Sequence, residues 1–395
     1  MLTPAQRDII KATVPLLEVG GEALITHFYQ LMLDTHPEVR PLFNQAHQAN
    51  GSQPRALANG VLMYARNIDR LENLGDLASQ IINKHVALQI LPEHYPIVGS
   101  CLLQAIREVL GAEVATDEVI AAWAQAYQQL ADILIEGERN AYDAIAAAPG
   151  GWRGARQFTV LRKVVESAEI TSFYLVPSDH QPVIKHEAGQ YIGVRLMIEG
   201  NEIRRNYSLS EQANGVFYRI SVKREKGGVA SNFLHDHVAE GSTLDLFPPS
   251  GNFTLHHHTK PLVLISGGVG ITPTLAMAAQ ALESGERPVT FIHYARNGQV
   301  HAFAEVLSDW QKRYPLLDAH VVYAERAEQE PYKPDAVGFP AVDHLKEWLP
   351  ADRDVDAYFL GPKPFMAFIK RALKDLGVPE GQAHYEFFGP AEALA

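Results

Sequence analysis

The chain of 395 residues contains a single cysteine, Cys101. One thiol excludes an intramolecular disulfide framework and any zinc or iron–sulfur centre built from cysteines of one chain, and it predicts a reducing compartment. Long apolar runs are missing as well. Nowhere do about eighteen apolar residues stand together, the length a membrane helix needs. The opening stretch MLTPAQRDIIKATVPLL carries scattered charges and no apolar core of signal-peptide length. The expectation is a soluble, cytoplasmic protein without stable membrane insertion. Basic residues are outnumbered, 34 Lys and Arg against 46 Asp and Glu, for a formal net charge of -12. With no basic patch to offset it, this balance argues against a nucleic-acid partner, because phosphates would be repelled over most of the surface.

What is present is a globular composition, 47% hydrophobic and 20% charged, on a chain too long for one ordinary core. Two or three domains are expected. From Thr3 to Ala148 apolar residues recur at helical spacing. Thr3-Pro4 caps a first helix expected to end near Val19-Gly20-Gly21, and a second runs from about Glu22 to Leu33 with Tyr29 at the edge of its apolar stripe. Gln53 heads the stripe Leu57, Val61, Tyr64. His85 sits among Leu77, Ile81 and Leu88 on one helical face, and Tyr95 begins the following helix. In a last helix, from about Asp117 to Ile145, the stripe Trp123, Tyr127, Leu130, Leu134 continues to Glu138, whereas Glu136 points away.

A small-residue joint, Ala146 to Gly151, ends the helical region. From Arg156 to Leu255 short β-type runs follow at even spacing, which suggests a small antiparallel barrel. In one of them Tyr218, Ile220 and Val222 alternate with Arg219, Ser221 and Lys223, the pattern of a strand with one wet face. From Lys260 onward strands alternate with helices, as in a doubly wound parallel sheet. The fold class is therefore multidomain: an all-α domain at 1–147, an antiparallel β-barrel at 153–258 and an α/β doubly wound parallel-sheet domain at 259–395.

Leu262 to Leu282 is the most punctuated stretch of the last domain. An apolar strand breaks into Gly267, Gly268 and Gly270 before Thr272-Pro273 opens a helix. Glycines allow close backbone approach and the helix start offers free N–H groups, so a phosphate is the expected guest. Glycines at such a turn also serve merely to ease it, and Pro273 stands where a G-x-G-x-x-G fingerprint has its third glycine.

Five polar groups, Tyr29, Gln53, His85, Tyr95 and Glu138, are directed into one helical core, which is costly unless they serve a common centre. A haem between the helices accounts for all five. His85 is then the iron's proximal ligand, Tyr95 and Glu138 hold its other ring nitrogen, and Tyr29 and Gln53 stand as donors on the distal side.

At this point the chain resembles a known family. Phe28-Tyr29, Pro37 to Phe43, Gln53 to Leu57, Lys84-His85 and Tyr95 resemble a bacterial globin. Arg205-Asn206-Tyr207-Ser208 fits the R-x-Y-S strand of ferredoxin-reductase-type flavin modules, flanked by Gly189-Gln190-Tyr191 and Gly227-Gly228-Val229-Ala230-Ser231-Asn232. Gly268-Val269-Gly270-Ile271-Thr272-Pro273, proline included, matches the nicotinamide loop of that family, and Glu386-Phe387-Phe388-Gly389-Pro390 resembles the segment that closes over the flavin. A globin joined to such a reductase is the flavohaemoglobin, or nitric oxide dioxygenase, family.

The resemblance implies haem b, FAD and NADH or NADPH as cofactors. Tyr207 is expected to stack on the flavin, with Ser208 donating to it and Arg205 meeting its pyrophosphate; Phe43 and Leu57 line the haem pocket. Lys84 and Glu386 face each other where haem and flavin domains meet. Relatives commonly carry cysteines where this chain has Leu360 and Phe387.

The implied function is electron relay from NAD(P)H through FAD to haem, where dioxygen oxidises nitric oxide to nitrate. Alternatives are a haem-based oxygen or redox sensor and an NAD(P)H-dependent hydroperoxide reductase. The implied partners are dioxygen and nitric oxide, with a lipid or hydroperoxide as a further occupant of the haem pocket, on a monomer. His256-His257-His258 is read as a solvated turn at the barrel exit, and Arg296 equally as a contact for a 2′-phosphate or as a surface arginine.

Overall fold

The computed structural model describes residues 2–43, 52–256, 259–326 and 332–388. The N-terminal part is built from helices α1 (Pro4–Thr35), α2 (Ser52–Arg66), α3 (Gly75–Leu88), α4 (His94–Leu110) and α5 (Asp117–Ala147). α1 opens on a reciprocal cap. The Thr3 hydroxyl accepts from the Gln6 N–H at 3.2 Å, and the Gln6 side chain accepts from the Thr3 N–H at 2.9 Å. The helix does not end at Val19-Gly20-Gly21 as expected; it continues through the glycines and through Pro15. Gly21 is buried, and a Cβ there would lie 3.8 Å from that of Ala58 in α2. The glycine therefore serves a helix crossing, and packing overrides its weak helix propensity. Ile10, Leu24, Ile25, Phe28, Met32 and Trp123 lie in the resulting core.

The middle part holds β1 (Arg156–Val165), β2 (Ile170–Pro177), β3 (Tyr191–Ile198), β4 (Asn201–Ser208), β5 (Tyr218–Lys223), α6 (Val229–His237) and β6 (Thr243–Leu246). The strands form an antiparallel sheet in the order β4-β3-β6-β1-β2-β5. A bridge between Leu209 and Ile220 draws its two outer strands together, so the sheet curls into a half-barrel. The wet face expected on β5 is covered: Arg219 and Ser221 are buried. The Arg219 guanidinium pairs with Glu211 at 3.1 Å and lies 5.1 Å from the Phe303 ring centroid, so the C-terminal domain packs against this face.

The last part contains β7 (Leu262–Gly267), α7 (Ile271–Ser284), β8 (Val289–Ala295), α8 (Ala304–Arg313), β9 (Leu317–Tyr323), β10 (Ala336–Val337), α9 (Val342–Trp348), β11 (Asp356–Leu360), α10 (Lys363–Asp375) and β12 (Ala383–Tyr385). The sheet is parallel with order β10-β9-β8-β7-β11-β12. The chain leaves β7 toward β8 and later returns on its other side as β11, which makes the carboxyl ends of β7 and β11 a topological switch point. β10 and α9 go unread in the sequence because neither spans enough residues to show a period. β12 ends at Tyr385, pairing with β11 over three residues.

Candidate functional site

The helical domain brings His85, Tyr95 and Glu138 together from three helices. Glu138 is 2% exposed. Its Oε1 lies 2.6 Å from His85 Nδ1 and accepts the Tyr95 hydroxyl proton at 2.6 Å, while the Tyr95 oxygen is 3.2 Å from the same imidazole nitrogen. A carboxylate acceptor at Nδ1 places the ring proton there and leaves the Nε2 lone pair available as a ligand. Glu138 Oε2 is buried without a partner among the described residues. All the carboxylate's protein contacts thus fall on one oxygen, shared by imidazole and phenol.

Tyr95 and the end of the His85 helix are held from behind. The Tyr127 hydroxyl donates to the Tyr95 carbonyl at 2.7 Å. Its ring occupies space that Gly99 leaves open, for a Cβ on Gly99 would come within 2.5 Å of it. α3 ends on Gln89 in the left-handed region, with φ 59. The turn beyond is fixed by the Tyr142 hydroxyl, which donates to the Ile90 carbonyl at 2.8 Å. Burial pushes the Tyr95 hydroxyl far above its ordinary pKa, and Glu138 adds to the shift, so Tyr95 remains a donor at any working pH.

Tyr29, 6% exposed, lies in the same core. Its hydroxyl is hydrogen-bonded to the Gln53 side chain, burial raises its pKa, and its ring meets Phe43 edge-on with centroids 5.6 Å apart. Phe43, Leu57, Ile81 and Leu88 pack on this core yet stay partly exposed. An imidazole nitrogen offered as a ligand, a carboxylate behind it, apolar walls and a phenol–amide donor pair together suit a haem.

On the half-barrel, β3 and β4 carry the flavin-type residues in register, Tyr191 opposite Ser208, Ile192 opposite Tyr207 and Val194 opposite Arg205. Burial raises the Tyr207 and Tyr191 hydroxyls and lowers the Arg205 guanidinium, as in a dry groove. Asn206 is exposed. Gly251, at φ +110, lets the Tyr191 ring approach; a Cβ there would lie 2.7 Å from the ring. A phenol, a guanidinium and a hydroxyl on one strand fit a flavin dinucleotide.

Arg204 was not anticipated. Neighbouring strand residues point to opposite faces, so Arg204 leaves β4 on the other side from Arg205, and that alternation is the signal the sequence holds. Its Nη1 donates to the Leu88 carbonyl at 2.5 Å, its Nε meets Glu202 at 2.6 Å, and its guanidinium lies 5.0 Å from the Phe247 ring centroid. Beside it, a Cβ on Gly193 would come within 2.5 Å of the Ala87 carbonyl. The last turn of the His85 helix thus seats directly on the strands that carry the flavin motif. Lys84 and Glu386 are electrostatically coupled at the same junction. Desolvation lowers the Lys84 ammonium and pushes the Glu386 carboxyl up to about 7, each against the pull of the other.

A cleft of about 660 Å³ opens at the switch point, lined by Gly267, Gly268 and Val269 after β7, Tyr294 and Arg296 at the end of β8, and Pro362 after β11. Gly268 is exposed at φ +56. Ile271, Thr272 and Pro273 are instead buried within α7, and a Cβ on Gly270 would collide with the backbone of Leu360. Leu360 is 1% exposed. Arg296 forms a short ion pair with Glu169 of the half-barrel across this cleft. Phe387 is partly buried and Phe388 exposed, while Gly389, Pro390, His257 and His258 lie outside the described residues. Among the described residues no helix is long and apolar enough to cross a membrane.

Comparison with known proteins bears on all three parts. Residues 26–134 match the Globin family model, 157–255 the Oxidoreductase FAD-binding domain and 264–371 the Oxidoreductase NAD-binding domain. The chain is 63% identical to a flavohemoprotein of Pseudomonas aeruginosa and 65% to one of Pseudomonas putida, in each case over 100% of both chains. Among solved structures it resembles a flavohemoglobin of Malassezia yamatoensis with bound FAD and heme, at TM-score 0.85 and 26% identity over 98% of this chain and 100% of that one. It also resembles the FAD/NAD-binding domain of a nitric oxide dioxygenase of Vibrio cholerae, at TM-score 0.56 and 36% identity over 60% of this chain and 100% of that one.

Proposed function

Because the chain belongs to the flavohemoprotein family, an oxidoreductase line with globin, FAD-binding and NAD-binding domains, we propose that it is a nitric oxide dioxygenase. In the overall reaction, two nitric oxide and two dioxygen molecules with one NAD(P)H give two nitrate ions, NAD(P)+ and one proton. When bound, NAD(P)H supplies a hydride, FAD converts the pair into single electrons, and haem supplies the iron at which the gases react.

The chain's own residues set the conditions. Gly267, Gly268 and Val269 offer backbone to a dinucleotide at the switch point. Tyr207 and Tyr191 present aromatic faces on the half-barrel, and Arg205 supplies a cation for the flavin's pyrophosphate. His85 is the haem ligand. Glu138 and Tyr95 keep its ring proton on Nδ1 and orient the ring, and the buried carboxylate makes the imidazole a stronger electron donor through Nε2. Tyr29 and Gln53 hold a hydroxyl proton in the apolar pocket, ready for a gas ligand that gains negative charge.

The observation that carries this reading is the shared Glu138 oxygen, 2.6 Å from both His85 Nδ1 and the Tyr95 hydroxyl. A reversible oxygen carrier has no need of a carboxylate-charged proximal histidine, whereas a reaction that pushes electrons onto oxygen does. The test is NADH-driven consumption of nitric oxide by the haem- and FAD-loaded protein. Consumption that requires dioxygen and yields nitrate supports the reading; consumption indifferent to dioxygen, or none, contradicts it.

A further inference from the structure

Three metal-ligand side chains that this reaction leaves unused meet at the opposite end of the parallel sheet from the cleft. His256 follows the half-barrel, Asp356 is the first residue of β11, and His384 lies in β12. Asp356 is paired in register with Leu262 at the start of β7. The nucleotide loop begins at the far end of that strand, roughly 17 Å away at about 3.3 Å per residue. One ligand atom from each of the three side chains lies within 4.8 Å of the others. Asp356 Oδ1 is 3.1 Å from His384 Nε2, and the two imidazole rings have centroids 4.8 Å apart.

Their surroundings hold them in this arrangement. Asp356 is 1% exposed, and its Oδ2 lies 3.3 Å from the guanidinium of Arg287, itself 4% exposed. The arginine occupies Oδ2 and leaves Oδ1 turned toward His384. Arg287 also donates to the His256 carbonyl at 3.1 Å, and the His256 N–H donates to the Tyr358 hydroxyl at 3.0 Å. The Tyr358 ring stacks beneath His384 at 4.7 Å. Backbone and rings thus fix where both imidazoles start, with the exposed His256 ring edge-on to Tyr358 and His384. The sequence suggests only a solvated turn at His256, because its two companions are about a hundred and more residues away.

We propose that His256, Asp356 and His384 form a binding site for a divalent transition-metal ion of the zinc class. Imidazole and carboxylate are its usual ligands, at about 2.0–2.2 Å, which puts neighbouring ligand atoms roughly 3.3 Å apart. Asp356 Oδ1 and His384 Nε2 already stand at 3.1 Å, so the ion takes the place of the proton between them, and the neutral imidazole carries its proton on Nδ1 instead. A rotation of His256 supplies the third ligand, and water takes the fourth position. The ion would pin β12 to the half-barrel exit two residues ahead of Glu386, and thereby steady the segment that meets Lys84.

The experiment is a calorimetric titration of Zn2+ into tag-free, full-length protein carrying haem and FAD. One ion per chain and affinity weakened by roughly tenfold or more in both His256→Ala and His384→Ala are expected. Zinc-edge absorption spectroscopy should find two imidazoles and an oxygen around the ion. His256 is exposed, so its variant keeps the fold, which a thermal melt verifies. Failure of the wild type to saturate with one ion, or wild-type affinity in either variant, overturns the site. Neither outcome depends on nitric oxide turnover.

Discussion

At the scale of single residues, the reading rests on which atoms share a proton. Glu138→Gln keeps the shape beside His85 and removes the charge, so haem should be retained while its reduction and turnover slow; stopped-flow spectra report both, and an unchanged rate would sink the role given to Glu138. Tyr29→Phe removes a hydroxyl donor worth about 1.5–3 kcal/mol toward a partly anionic ligand. Dioxygen release should then quicken by roughly ten- to a hundredfold, as flash photolysis or rapid mixing can measure. Glu138 could be told from Glu136 in the sequence because helical residues advance by a fixed rotation, and one buried stripe selects one of the two. The sequence offered no such rule for Asp356 and His384. Their meeting is a product of strand register, in which Tyr358 pairs with His384.

Whole elements were legible where a pattern ran long enough to repeat, as in α5 and β3, and illegible where packing overruled local preference. Gly20-Gly21 reads as a helix end and is instead part of α1, because Gly21 fits against Ala58. Gly99 in α4 is a like case with a measurable cost. Gly99→Ala would press a methyl into the Tyr127 ring, 2.5 Å away, and should destabilise the helical domain by about 1–3 kcal/mol in a denaturant melt, despite alanine's better helix propensity. A more stable variant would show that the ring can move aside.

Buried histidines give the β-containing elements a pH response. Burial lowers His186 and His301 to about 4 and His293 well below its ordinary value. All three stay neutral in the folded chain while the unfolded chain takes up protons below about 6.5. Their stabilising effect is therefore whole above that pH and is lost as pH falls toward 4, by up to about 1.4 kcal/mol per unit for each histidine. Denaturant midpoints compared at about pH 7 and pH 5 should fall; equal midpoints would contradict the neutral state assigned to these side chains.

For the whole molecule, the decisive feature is the seat of the haem-type helix on the flavin-type strands, of which the family resemblance implied only the meeting of Lys84 and Glu386. Three domains could be parsed from composition and period, but their docking depends on single contacts such as Arg204 with the Leu88 carbonyl and Gly193 beneath Ala87. Arg204→Ala should leave reduction of the flavin by NADH unchanged and slow the following transfer to haem, since the mutation loosens the seat without touching either end of the relay. Two-phase stopped-flow traces separate the steps, and an unaltered second phase would show that Arg204 does not position the domains.

The central claim concerns the fate of dioxygen, and isotopic labelling addresses it most directly. Turnover of nitric oxide by the NADH-supplied holoprotein under 18O-dioxygen should yield nitrate in which both atoms of one dioxygen molecule are found. Nitrate with one labelled oxygen or none, or nitrous oxide as the main product, would contradict a dioxygenase.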